Sequence, residues 1–198
     1  MPIPKKVESF FATHGLNLEV VAHRTVYTVY DLAQTLREKF ENITKTLLVK
    51  ADKEFYLVVM PANYRLDIQK LKKVLRAKKV SLASERDMKN KFKTHPGAML
   101  PFGALHKVGV VADKSLLKAK YALFSAGSFT ESVRLKMKEY MRVADPRVAQ
   151  VAKKVPMKMT AAPKKQVKRK KKTKRPAPKR SAKKVKKQAS KKRIVRRR

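Results

Sequence analysis

Ile43-Thr44-Lys45-Thr46-Leu47-Leu48-Val49, followed past Ala51-Asp52-Lys53 by Phe55-Tyr56-Leu57-Val58-Val59-Met60, is the stretch that decides the fold. Two apolar runs rich in β-branched and aromatic residues, separated by a turn-like tripeptide, predict a β-hairpin at the heart of a sheet. Working towards the N-terminus, Thr28 can cap a helix whose Val29, Leu32, Ala33, Leu36 and Phe40 recur at intervals of three and four. Residues 18–22 read as a strand, and Val7, Phe10 and Phe11 share one helical face. Towards the C-terminus, Asp67 can cap a helix carrying Ile68, Leu71, Val74 and Leu75. Residues 80–83 form a short strand, and Ser84 with Asp87 has the pattern of a capping box ahead of Met88 and Phe92.

Residues 95–103 hold two glycines and two prolines, which excludes regular structure there. Beyond them, residues 108–112, 121–125 and 132–135 read as strands and 136–142 as a short helix. Successive strands with helices interspersed predict an α+β fold: a mixed, curved sheet with barrel character and helices packed outside it. No internal repeat is visible.

The charge divides the chain. The sequence has 198 residues and a formal net charge of +38, far more than solubility requires. All 14 acidic residues lie within 1–150, whereas 24 of the 52 lysines and arginines lie in 151–198 with no counter-charge. The second segment has four prolines and no aromatic residue. It cannot bury enough surface to offset chain entropy and is expected to be disordered when free. The domain expectation is therefore a folded body at 1–150 and a Lys/Arg-rich tail at 151–198. The tail residues expected to contact nucleic-acid phosphates are Lys168, Arg169, Lys170, Lys171, Lys172, Lys174, Arg175, Lys183, Lys184, Lys186, Lys187, Lys191, Lys192, Arg193, Arg196, Arg197 and Arg198.

Several function classes are excluded. There is no cysteine, and so no disulfide framework, thiolate nucleophile or cysteine-ligated zinc. Phosphate-loop, dinucleotide and H-E-x-x-H motifs are missing, and His14, His23, His95 and His106 have no metal-ligand spacing. No cofactor and no metal is expected. No apolar run approaches the ~20 residues of a spanning helix, and the start has no secretory pattern. The expectation is a cytoplasmic protein without a membrane partner.

Three features can carry chemistry. Alternation puts Lys45 on the face of Ile43 and Leu47, where a buried ammonium needs a partner such as a phosphate; the alternative is a solvated lysine. Gly97, Ala98, Met99, Leu100 and Pro101 form a loop whose backbone can approach a ligand and offer N–H groups to an oxyanion; the alternative is a rigid turn. Ser125, Ala126, Gly127 and Ser128 end a strand with small residues and hydroxyls able to position a substrate; the alternative is a tight turn.

Taken in order, these segments resemble a known family. Thr44-Lys45-Thr46-Leu47, the stretch from Pro61 through Asn63, Tyr64 and Arg65 to Asp67, Leu82-Ala83-Ser84, Gly97-x-x-x-Pro101-Phe102-Gly103, Asp113-x-Ser115-Leu116-Leu117 and Ala126-Gly127-Ser128 are similar to the YbaK/prolyl-tRNA synthetase-associated editing domain. The resemblance spans about residues 18–148. It implies an aminoacyl-tRNA deacylase that hydrolyses the ester of mischarged tRNA in trans. In that reading Lys45 and the loop Gly97 to Pro101 are catalytic, while Tyr27, Ser125, Gly127 and Ser128 bind substrate. tRNA is then the polyanion met by the tail, and an aminoacyl-tRNA synthetase or the ribosome are candidate partners. Two departures stand out. Ser132 occupies a place where some members carry aspartate, and neither Phe129 nor its neighbours supply the histidine of other members. No side chain stands out as a general base, so the expectation is a water held by backbone and by the substrate's own hydroxyl. The competing readings are a family-like pocket without turnover on an RNA-, ribosome- or DNA-binding protein, and a DNA-compacting protein whose body is a scaffold.

Overall fold

The computed structural model describes residues 3–16 and 19–157, so the expected phosphate-binding residues at 168–198 lie outside the described residues. In chain order the elements are α1 (Lys5–Thr13), β1 (Glu19–Ala22), α2 (Val29–Leu36), β2 (Thr44–Ala51), β3 (Glu54–Pro61), β4 (Tyr64–Leu66), α3 (Ile68–Leu75) and β5 (Val80–Leu82). They continue with α4 (Glu85–Phe92), α5 (Gly103–His106), β6 (Gly109–Asp113), β7 (Tyr121–Ser125), β8 (Glu131–Lys136), α6 (Met137–Ala144), β9 (Arg147–Ala149) and β10 (Ala152–Lys154).

The predicted hairpin forms, with Thr44 opposite Pro61 and Ala51 opposite Glu54. It sits inside a five-stranded sheet of order β5-β2-β3-β6-β9, antiparallel on the β5 side and parallel from β3 outward. Both faces of this sheet are covered, which is why its central strands are apolar almost throughout. Leu48, Leu57, Val59, Val110 and Ala112 face the main core with Val7 and Phe11 of α1 and Tyr140 of α6. Val49, Val58, Met60 and Val111 face a second cluster closed by Leu71 of α3. A three-stranded antiparallel sheet, β1-β8-β7, meets the first where Ile43 bridges to Leu123. The barrel character stops at that bridge: among the described residues no sheet closes on itself.

The caps read from sequence act as expected. Thr28 accepts from the Asp31 N–H, Asp67 from Gln69 and Lys70, and Ser84 from Asp87. Three boundaries differ from expectation. Helix α2 ends at Leu36 because Arg37 turns left-handed, and Phe40 joins the same apolar cluster from a separate 3₁₀ turn. Gly103, expected in the loop, opens α5. Paired strand also continues past the expected boundary at 150: β10 pairs with β4, and Lys153 bonds Asp67 at 3.0 Å. The extension is held by Asp113, a buried carboxylate at the end of β6 that accepts the Val151 and Ala152 N–H groups, each at 2.8 Å. No helix among the described residues is long and apolar enough to cross a membrane.

Candidate functional site

A cavity of about 80 Å³ opens where five segments converge: the end of β1, the first turn of α2, the start of β2, the β7–β8 connection and the 95–101 loop. Of the residues expected to form a site, it brings together Tyr27, Gly97, Ser125 and Ser128. Gly97 has φ +86°, a conformation that favours glycine, and its α-carbon lies so near the cavity wall that a Cβ would touch the Tyr27 carbonyl at 3.4 Å. The loop is pinned from behind. Met99 and Phe102 are fully buried, the Pro101 carbonyl accepts the Tyr140 hydroxyl at 3.2 Å, and the Phe102 ring lies among Phe10, Phe11 and Tyr140. That burial drives the Tyr140 hydroxyl pKa far up, so it stays a donor.

The hydroxyls around the cavity are oriented. Thr44 donates to the Leu123 carbonyl at 2.9 Å, and Ser125 Oγ stands 3.4 Å from the Gly127 N–H. Ser132 Oγ lies 3.0 Å from His23 Nε2, while His23 Nδ1 lies 2.9 Å from the Arg24 carbonyl. Tyr27 is 70% exposed and its ring leans on Phe129 with centroids 5.2 Å apart, making an aromatic lip. No aspartate, glutamate, lysine or arginine is among the described residues lining the cavity. Nor do three or more His, Asp or Glu side chains gather as a metal site among the described residues.

The other expected residues stand elsewhere. Lys45 shares the face of Leu47, as alternation requires, so its side chain leaves β2 on the side opposite Thr44 and the cavity. Its ammonium is half-buried and donates to the carbonyls of Tyr64 (2.5 Å) and Ala62 (3.4 Å). Burial lowers its pKa below the ordinary lysine value. The Ala98 N–H, one of the expected oxyanion donors, is occupied by the His95 carbonyl at 3.1 Å. Met99 and Leu100 put their side chains into the core. Ala98, Leu100 and Gly127 also border a separate hollow of about 420 Å³ rimmed by Lys6, Lys91, Lys93 and Lys107.

The family model described as the aminoacyl-tRNA editing domain matches residues 23–143, which carry every wall of the cavity. The chain belongs to this family. Prolyl-tRNA editing protein ProX of Acetoanaerobium sticklandii is 32% identical over 108 residues, covering 52% of this chain and 66% of that one. Proline–tRNA ligase of Lactococcus lactis subsp. lactis is 33% identical over 114 residues, 58% of this chain. This chain spans only 18% of that ligase's length. Among solved structures, that of the protein APE2540 superposes with TM-score 0.70 at 25% identity, covering 75% of this chain and 99% of that one. One assigned as a trans-editing enzyme for prolyl tRNA synthetase gives 0.69 at 22% identity, covering 77% and 98%, and shares the fold.

Sequence reading of this editing domain missed His23, Thr44 and Ser132 as cavity residues. Thr44 was hidden behind the more conspicuous Lys45. His23 and Ser132 are 109 positions apart, and only the pairing of β1 with β8, which sets Val21 opposite Ser132, brings them together. Chemically, the editing domain offers a small uncharged pocket with oriented hydroxyls, a glycine-backed wall and one imidazole.

Proposed function

We propose that this editing domain hydrolyses, in trans, the ester linking a small, wrongly attached amino acid to tRNA, with a tRNA for proline as the first candidate. The observation that carries the reading is the convergence of Tyr27, Gly97, Ser125 and Ser128, from three separate segments, on one cavity. Its volume of about 80 Å³ is well below the ~150 Å³ hole that admits a benzene ring, which suits side chains such as those of alanine or cysteine.

In this reading the terminal base stacks on the exposed Tyr27 ring, and the ester enters beside Gly97. Backbone N–H groups of Gly97, Met99 and Leu100 stabilise the oxyanion, Ala98 being already engaged. Lys45 uses two of its three N–H donors on backbone and gives the third to a substrate oxygen outside the cavity. The lysine-rimmed hollow behind the loop adds positive potential along the path of the RNA chain.

A panel of mischarged tRNAs, including tRNA for proline bearing alanine or cysteine, is expected to be turned over by the wild type. Lys45→Ala should be at least about tenfold slower, the worth of one charge-assisted hydrogen bond. A variant with wild-type turnover removes Lys45 from the mechanism. No wild-type turnover on any member, with tRNA binding intact, leaves an RNA-binding module instead.

The tail's part is to hold RNA phosphates. Deleting residues 158–198 should weaken tRNA binding while leaving the rate at saturating substrate within about twofold. The slope of log affinity against log salt should flatten by about 0.7 for each phosphate that the tail no longer neutralises. An unchanged slope in a salt titration of the truncated chain would remove the tail from tRNA binding.

A further inference from the structure

His23 follows β1 directly, and its own N–H donates to the Thr130 carbonyl at 2.8 Å, so it extends the β1–β8 pairing by one step. Its ring is then fixed at both nitrogens. The Arg24 carbonyl can only accept, so Nδ1, 2.9 Å away, must carry a proton. In the neutral ring Nε2 is therefore the bare nitrogen, and it accepts the Ser132 hydroxyl at 3.0 Å. Both residues line the cavity, and Ser132 is 3% exposed. The cavity's described lining holds no carboxylate and no ammonium. Among the described residues lining the cavity, only His23 carries a side-chain nitrogen that can accept a proton.

We infer that His23 is the general base of the cavity and that Ser132 is the residue that aims it. The inference rests on the hydrolytic reading above and departs from the expectation of a base-free site. In the step it describes, an entering water displaces the Ser132 hydroxyl from Nε2, is held by Ser132 Oγ, and gives one proton to Nε2 as its oxygen bonds the ester carbonyl carbon. The tetrahedral adduct then breaks its bond to the ribose oxygen, which takes the proton back from Nε2. Ester and water become acid and alcohol, and the imidazole ends neutral. The arrangement is a base oriented by a third group, the Arg24 carbonyl, which fixes the tautomer without adding charge.

The ionisable groups on the neighbouring segments include four. Arg24 adjoins it in the chain, with Nε bonded to Thr35. Glu131 lies opposite Ala22 on β8. Asp31 of α2 has its carboxylate bound by the Thr28 hydroxyl, and Tyr27 borders the cavity.

The test combines kinetics of the full chain with one measurement that needs neither turnover nor a variant. Nitrogen NMR of the wild-type imidazole should find the proton of the neutral ring on Nδ1; a proton on Nε2 overturns the assignment. His23→Gln can still accept the Ser132 hydroxyl but cannot take up a proton. With alanylated tRNA it should lower kcat about a hundredfold or more, leave KM within about threefold and abolish the fall in rate towards acid pH that an imidazole base gives the wild type on this proposal. Ser132→Ala should cost about tenfold and keep that pH dependence. Wild-type rate and pH profile in His23→Gln overturn this proposal and leave the deacylase reading standing. Absence of turnover by the wild type overturns the deacylase reading, and this one with it. A trapped acyl group on Ser132 would replace water activation by nucleophilic attack and also overturn it.

Discussion

Asp113→Ala should lose about 4 kcal/mol of folding stability, the larger of the two biggest effects expected from a single substitution in this body. Asp113 is 1% exposed, yet it sits at the end of β6 as a carboxylate with four donors on it. Oδ1 accepts the Ser115 N–H at 2.9 Å and the Ser115 hydroxyl, and Oδ2 accepts the Val151 and Ala152 N–H groups. Alanine leaves three N–H groups without their acceptor, and the two buried ones, of Val151 and Ala152, are each worth about 1–3 kcal/mol of unmet hydrogen bonding. Two of those donors start the strand that closes the second apolar cluster, so Val151 and Ala152 lose their seat against Met60 and Leu71. Urea denaturation reads the effect directly. Asp113→Asn should fall between wild type and alanine, since its carbonyl can keep one pair of donors while its NH₂ opposes the other. A decrease below about 1 kcal/mol for the alanine variant would mean that water replaces the carboxylate. Asp113 belongs to the Asp113-x-Ser115 segment on which the family resemblance rests, and in the fold it acts as a structural acceptor.

Gly103→Ala should cost about 3 kcal/mol, at the upper end for a forced insertion into a packed core. A Cβ on Gly103 would stand 2.2 Å from the Val108 carbonyl oxygen and 2.7 Å from Val110 Cγ2. The first contact is backbone, which cannot rotate away, and the same turn is closed by the Val108 N–H donating to the Gly103 carbonyl. Relief requires moving α5 away from β6. Because Phe102 anchors the 95–101 loop one residue earlier, the shift should reach Gly97 and, on the deacylase reading proposed above, lower deacylation as well as stability. Thermal unfolding should show a drop of about 6–12 °C for a body of this size. An unchanged midpoint would contradict the close approach of α5 to β6.

Much of this was legible in the sequence because it is local. Caps at Thr28, Asp67 and Ser84 are decided within four residues, and each forms. The hairpin needs only its two apolar runs and a turn, and Asp52 takes the left-handed conformation there. Weakly patterned elements were missed. Strands β4, β9 and β10 are three residues each, too short to show a period, and they exist because partners supply their hydrogen bonds.

The sequence alone determined the α+β class, the central hairpin and the family, because these depend on local pattern and on segments kept in order. Only the tertiary structure decided which face of β2 Lys45 takes relative to the cavity, that Ala98 gives its N–H to His95, that the body reaches β10 and that His23 meets Ser132. Each of these is a contact between residues whose meeting is set by strand register or loop path. A one-residue slip in register reverses which side chain faces the cavity, and no local signal in the chain encodes that choice.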